Sequence, residues 1–326
     1  MSRPRIALVT PALADANNGN WQTARRWAGM LAADYQVRLA PAWHAAEAPP
    51  GECALVALHA RRSAPSIQAW RRHHPAGGLV VVLTGTDLYR DIATDADAQA
   101  SLRLADRLVV LQPLGLRSLP AAHRGKAVVC VQSARARRPI EHKAARHLRA
   151  LMVGHLRDEK DPATYFDAAR RLAGRADIRL DHIGRGLDET LADQARALMV
   201  SQPRYRWLGG LPHGATRARI QRAHVLVHAS RMEGGAHVVI EAVVSGTPVL
   251  ASRIDGNVGL LGPGYGGYFE PGDAAGLAAL LQQARDDPAM LPALRNQCRA
   301  AADCFRPEHE RGVLLRLLHQ LTPLTE

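Results

Sequence analysis

Ser230-Arg-Met-Glu233-Gly234-Gly235-Ala236-His237-Val-Val-Ile-Glu241-Ala-Val-Val-Ser-Gly246-Thr-Pro248-Val249 decides the fold of this chain. Glu233 falls at a strand-to-helix turn and Glu241 inside the helix that follows. Gly234 and Gly235 let the backbone pass close to a ligand, and the first turn of the helix points unpaired N–H groups at it. The helix dipole adds partial positive charge there, so the turn suits an anion. A carboxylate on each side of such a cradle suits a ligand that carries both phosphate and hydroxyl groups.

Outward from this turn, short apolar runs alternate with helical stretches, the pattern of parallel sheets covered by helices. Strands are expected at residues 6–10, 37–40, 54–58, 79–83, 108–111 and 128–131, with helices such as 21–33 and 97–105 between them. A basic segment, Ser133-Ala-Arg-Ala-Arg-Arg-Pro-Ile-Glu-His-Lys143, interrupts the pattern and reads as a linker. Strands resume at 150–153, 178–183, 206–208, 225–228 and 249–251, with helices expected at 162–173, 189–200, 217–223 and 237–245 among them. Helices at 275–284, 292–304 and 307–321 close the chain. The fold class is therefore α/β, with two Rossmann-like parallel-sheet domains facing across a cleft. The domains are 1–135 and 149–305, the linker is 136–148, and the helix 306–326 is expected to pack back towards the first domain. Open sheets of this kind take ligands at the carboxyl ends of their strands.

A length of 326 residues fits two domains, and 47% hydrophobic content is ordinary for a globular enzyme. No apolar run approaches a membrane span, and the start of the chain leads into a strand without a signal-peptide pattern, so a cytoplasmic protein is expected. The four cysteines show no C-x-x-C spacing and read as reduced structural residues. The net charge of +12 is concentrated in residues 1–140, where basic residues outnumber acidic ones two to one. This suits an anionic small molecule or an acidic surface, and equally a solvated arginine-rich exterior. The arginines fall in scattered pairs with no nucleic-acid motif, so no nucleic-acid partner is expected, and no amphipathic helix marks a membrane partner. Nothing in the sequence sets the number of subunits.

The second half resembles the donor domain of family 4 glycosyltransferases of GT-B architecture. The matching pieces, in the family's order, are Val153-Gly-His-Leu-Arg-Asp-Glu-Lys160, His182-Ile-Gly184-Arg-Gly186, Leu208-Gly209-Gly210, the Ser230–Glu241 stretch, Gly246-Thr-Pro-Val and Gly267-Tyr-Phe-Glu-Pro-Gly-Asp273. The resemblance implies that Glu241 binds ribose hydroxyls of a UDP-sugar and Glu233 holds sugar hydroxyls. It implies that the N–H groups of Gly235, Ala236 and His237 face the diphosphate beside Gly234, Gly184 and Gly209, and that Lys160 neutralises the leaving phosphate. Where the family has an arginine after its glycine, this chain has His155, with Arg157 two residues on, and either fits the role of second cation. With two such cations no metal is needed, and no Asp-x-Asp pair stands at a strand end, so neither metal nor cofactor is expected. Ordinary packing or capping accounts for His237 nearly as well as sugar contact.

The first half departs from the common family pattern. Thr10-Pro-Ala-Leu-Ala-Asp-Ala-Asn17-Asn18-Gly19-Asn20-Trp-Gln-Thr23-Ala-Arg25-Arg26 reads as a turn feeding a helix N-terminus, again suited to an anion. Thr84-Gly-Thr-Asp87-Leu-Tyr89 brings hydroxyls and a carboxylate to a strand end. Together with Val153–Lys160 these segments resemble the selenosugar synthases of selenoneine biosynthesis, a compact branch of the superfamily. That likeness implies transfer from UDP-N-acetylglucosamine or UDP-glucose to selenophosphate, with Asn17, Asn18, Gly19, Asn20, Thr23, Arg25, Thr84 and Asp87 at the acceptor. A transferase acting on a lipid or natural-product hydroxyl, and a non-catalytic nucleotide-sugar binder, are the competing expectations.

Overall fold

Leu79–Leu83 is apolar at every position, as a strand covered on both faces must be. A computed structural model describes residues 3–11 and 19–322 and places this run in β4 (Gly78–Leu83) of a six-stranded parallel sheet. The sheet combines β1 (Arg5–Val9), β2 (Gln36–Ala40), β3 (Glu52–Leu58), β5 (Arg107–Val110) and β6 (Ala127–Val129) in the order β2-β1-β3-β4-β5-β6. The side-chain period of two divides the run between two cores. Leu79, Val81 and Leu83 face Trp43, Ile67 and Trp70, whereas Val80 and Val82 face Trp27, Leu31, Leu314 and Leu317. Full burial of each such side chain contributes about 1.5–3 kcal/mol.

The chain divides into two units, one ending at Gln132 but regaining the segment from Pro307, the other spanning Ser133–Arg306. The helix Pro307–Leu321 joins the first unit through Leu314, Leu317 and Leu318 and through Glu310, whose carboxylate accepts from Arg26 and from the Trp27 indole (2.6 Å). Segment 136–148, read as a linker, lies in the second unit. Its neighbour Arg135 accepts from Arg217 (2.8 Å), and the Arg137 amide donates to the Val244 carbonyl (3.0 Å).

The second sheet is also parallel, in the order β12-β11-β10-β7-β8-β9. Its strands are β7 (Leu148–Val153), β8 (Ile178–Ile183), β9 (Tyr205–Trp207), β10 (Val225–His228), β11 (Val249–Ser252) and β12 (Tyr268–Phe269). β12 was not expected, because two residues carry no periodicity. The helix Asp255–Leu261 was not expected either, whereas Ala64–His73 is one of the helices expected between the strands of the first half. Two helix boundaries differ from those expected. The helix expected at 217–223 begins earlier, at His213, and the helix carrying Glu241 ends at Val243, just before Gly246 with φ of 70°.

Candidate active site

Strand order locates the site in the second unit. From β7 the chain builds outward through β8 and β9, then returns to lay β10 on the other side of β7, with Val227 beside Met152. Loops leaving β7 and β10 therefore diverge at a topological switch point, where open α/β sheets hold ligands. The β7 loop carries Gly154–Lys160 and the β10 loop carries Ser230–Ala236. Lys160 sits in a single 3₁₀ turn beside Asp161, whose positive φ of 44° reverses the chain and lets its carboxylate cap the helix Pro162–Arg171. The turn packs Lys160 against Gly154 and aims its ammonium at Glu233.

Glu233 is held by three donors, all at Oε1: Lys160 Nζ, Ser230 Oγ (2.8 Å) and His228 Nε2 (3.3 Å). Burial by itself would raise the Glu233 pKa. The Lys160 charge and the His228 hydrogen bond overcome it and hold the carboxyl well below the usual carboxylate range. Oε2 has no partner among the described residues. Gly256 presses on the same turn, since a Cβ there would lie 2.2 Å from the Glu233 carbonyl oxygen. Glu241 repeats the arrangement, with His213 Nε2 at 2.6 Å, Arg217 Nη1 at 3.5 Å and His237 Nδ1 at 3.5 Å, again all at Oε1. Burial raises its pKa, and His213, His237 and Arg217 more than offset this, leaving the carboxyl lowered. Each glutamate is thus pinned, ionised, by one oxygen. Its second oxygen has no hydrogen-bond partner among the described residues and can accept from a ligand hydroxyl.

His228, Ser230, His213, Arg217 and Gly256 were not singled out as site residues in the sequence. His228 and Ser230 border the quoted turn and were legible as strand-end polar residues. His213 and Arg217 give no sequence signal, since they reach Glu241 from a helix that ends before β10 begins. The glycine and backbone expectations shift in emphasis. Gly234 and Ala236 are buried, and the helix His237–Val243 is only two turns long. Its dipole is correspondingly short, so the Lys160 ammonium is a stronger local positive charge than the Gly235, Ala236 and His237 amides. His237 also meets the Ser133 carbonyl through Nε2 (3.0 Å). Gly184 serves close backbone packing, since a Cβ there would lie 1.8 Å from the Gly154 carbonyl oxygen, whereas Gly209 has open space around it and is required by its φ of 66°, its carbonyl accepting from the Gly184 amide.

His155 is half-buried, and its Nδ1 accepts from the Arg185 amide (3.0 Å). Burial, then the nearby Arg157, Lys160 and Arg185 charges, push its pKa down to about 4, so it is neutral at pH 7 and does not supply a second positive charge. Arg157 remains, a guanidinium with Nε 3.9 Å from Glu159. Burial also pushes His182, fully enclosed between Tyr205 and the Gly154 carbonyl, down to about 4. The unfolded histidine titrates near 6.5, so the unfolded chain takes up this proton first. The stability it confers is complete above pH 6.5 and is lost as pH falls from 6.5 towards 4. Unfolding by urea at pH 7.5 and pH 5 is expected to show a loss of about 2 kcal/mol from His182. His182→Gln is expected to reduce the difference between the two pH values by about that amount, with His155 and His224 supplying further terms, and an unchanged difference would remove His182 as a source.

In the first unit, Asn17 and Asn18 lie outside the described residues. Gly19 and Asn20 open the helix Gly19–Leu31, and Arg25 stands on its exposed side, opposite Thr23. Thr23 is buried, bonded to the Gly19 carbonyl (2.9 Å) and to Gln132 (2.6 Å). Asp87 was expected at an acceptor, but it is fully buried with its oxygens occupied by the amides of Ala60, Thr84 and Gly85 at 2.8–3.0 Å. It fixes the turn that holds Thr84 and Thr86. Thr86 meets His59 Nε2 at 3.1 Å, and His59 adopts φ of 75°, an uncommon conformation that no sequence signal announced. Among the described residues no helix is long and apolar enough to cross a membrane, and no group of three His, Cys, Asp or Glu side chains stands as metal ligands do.

The family described as Glycosyl transferases group 1 is matched over residues 133–303. Glycogen synthase of Mycobacterium tuberculosis is 34% identical over 154 residues, which make up 46% of this chain and 36% of the relative. The chain thus spans about a third of the length of the curated relatives it matches. Sucrose-phosphate synthase of Thermosynechococcus elongatus has a similar structure, with a TM-score of 0.78 at 19% identity over 98% of this chain and 99% of that one. HepE of Anabaena, solved with UDP-glucose, gives a TM-score of 0.78 at 14% identity over 97% of this chain and 100% of the other. At these identities the structural likeness is one of fold, and it agrees with the expected α/β class of two Rossmann-like domains.

Proposed function

This chain belongs to the group 1 glycosyl transferases, and from that premise we propose that it transfers the sugar of a UDP-sugar, UDP-N-acetylglucosamine or UDP-glucose, to selenophosphate. The observation that carries the donor half is the pair of glutamates, each pinned through Oε1 with Oε2 left to accept a hydroxyl, beside the Lys160 ammonium at the switch point. Glu241 accepts from the ribose, Glu233 accepts from the sugar, and Lys160 with Arg157 neutralises the diphosphate. The uridine nucleotide in the HepE structure supports this choice of donor.

In the reaction the bond from the anomeric carbon to the diphosphate oxygen breaks, and its electron pair leaves with UDP. Selenium forms the new bond to the anomeric carbon. Water then cleaves the selenium–phosphorus bond, releasing phosphate and a 1-selenosugar. Selenium in selenophosphate is nucleophilic without a dedicated base, so the acceptor pocket needs cations and N–H donors. The selenium acceptor is supported by the likeness of Thr84–Tyr89 and Val153–Lys160 to selenosugar synthases and by the basic excess of residues 1–140.

Purified protein with UDP-N-acetylglucosamine or UDP-glucose is expected to release UDP when selenophosphate is added, and to do so in EDTA, because side-chain cations carry the leaving-group charge. Release with a sugar or lipid hydroxyl acceptor but none with selenophosphate would overturn the selenium reading. Loss of release in EDTA would overturn the metal-free one. Glu241→Ala is expected to weaken UDP binding by about tenfold to a hundredfold by titration calorimetry, as for loss of a charged hydrogen-bond acceptor. Glu233→Ala is expected to lower turnover with less than a tenfold change in UDP affinity. The reverse ranking would refute the two assignments.

A further inference from the structure

Arg149 on β7, Arg206 on β9, and Arg219 and Arg222 on the helix His213–Arg222 converge on a cavity of about 390 Å³ that contains one carboxylate, Asp181 of β8. Asp181 is engaged by Arg206 through Nε (2.9 Å) and Nη2 (2.7 Å), with Arg219 at 4.0 Å. Arg149 and Arg222 have no carboxylate within ion-pair distance among the described residues, and the buried Arg149 Nε has no hydrogen-bond partner. Leaving a buried guanidinium N–H unpaired is costly unless something pairs with it.

The helix that walls the cavity has two distinct stripes. Ala215, Ala218, Arg219 and Arg222 recur at the three- and four-residue helical spacing and line the cavity, whereas His213 and Arg217 turn to Glu241. Along β7, Arg149 lies five residues before the loop that carries Lys160, and Asp181 is level with Leu151, three residues before it, a distance of about 10–16 Å. The cavity is therefore separate from Lys160 and Glu233.

We propose that this cavity is a second binding site, for a small phosphate-bearing polyanion such as a diphosphate or sugar phosphate. Guanidiniums bind phosphate oxygens in pairs through their planar fork, and four of them around one carboxylate leave a positive excess within a walled space. The volume suits a small metabolite. Ala215 and Ala218 supply the room, since their short side chains leave the arginine heads as the polar lining.

Calorimetry with sodium pyrophosphate on the full chain tests this. The wild type is expected to show a site whose Kd weakens at least tenfold in Arg219→Ala/Arg222→Ala and in Ala218→Glu, which places a carboxylate among the arginines. Ala218→Gln and Lys160→Ala are expected to keep this site within about twofold. Asp181→Asn is expected to tighten it, an effect that a purely structural role for the arginines does not produce. Circular dichroism melting establishes that each variant is folded. Pyrophosphate binding that disappears in Lys160→Ala and survives in Arg219→Ala/Arg222→Ala would assign all of it to the candidate active site and overturn the proposal, as would the absence of any binding at low salt.

Discussion

Lys160→Ala is expected to lower kcat by about a hundredfold to a thousandfold, the loss typical when one preorganised charge-stabilising donor is removed from a reacting centre. The UDP affinity is expected to fall by less than tenfold. The asymmetry follows from when the charge matters. In the bound donor the diphosphate charge is already spread over several oxygens. As the anomeric bond breaks, the bridging oxygen gains charge, and an ammonium fixed beside it is worth most at that moment. The structure gives Lys160 a fixed position: its stem packs on Gly154, and its ammonium pairs with Glu233. The variant also leaves the half-buried Glu233 carboxylate without its main counter-charge, so its pKa is expected to rise. The acid limb of the pH–rate profile then moves to higher pH. Single-turnover kinetics with the UDP-sugar separates the terms, and a kcat equal to that of the parent would take Lys160 out of the reaction.

The largest expected loss of stability comes from Glu310→Ala, about 3–5 kcal/mol, the range found when one member of a buried ion pair is removed. The Glu310 side chain is fully enclosed and accepts from Arg26 through Nε (3.0 Å) and Nη2 (2.9 Å), and from the buried Trp27 indole N–H (2.6 Å). Truncation leaves a largely buried guanidinium and an indole N–H without their acceptor. Because Glu310 belongs to the Pro307–Leu321 helix and Arg26 to Gly19–Leu31, the variant loosens the returning helix as well as the site of substitution. Urea unfolding is expected to show the loss, and hydrogen exchange to show faster exchange across 307–321. Glu310→Gln, which keeps an acceptor for Trp27, is expected to cost less. A change below about 1 kcal/mol for the alanine variant would show that leucine packing alone holds this helix.

Local chemistry was enough to determine the architecture from the chain itself. Runs such as Leu79–Leu83 are apolar on every position, so they become strands with both faces covered, and the alternation with helices leaves a doubly wound sheet as the outcome. The quoted turn was legible for the same reason, since two glycines between a strand and a helix start announce a close backbone approach. What residues separated by long stretches of chain do to one another was decided by the tertiary structure. The return of β10 to the side of β7 brings Glu233 to Lys160, 73 positions away. A helix that starts at His213 supplies two of the three groups that keep Glu241 ionised. Burial, which no single residue encodes, neutralises His155 and turns Asp87 from a prospective ligand contact into the cap of its own loop. Periodicity and turn residues act within a few positions, so sequence reveals them. Charge state and partnership depend on what the fold places within a few ångströms, and that is set only when the sheet order is complete.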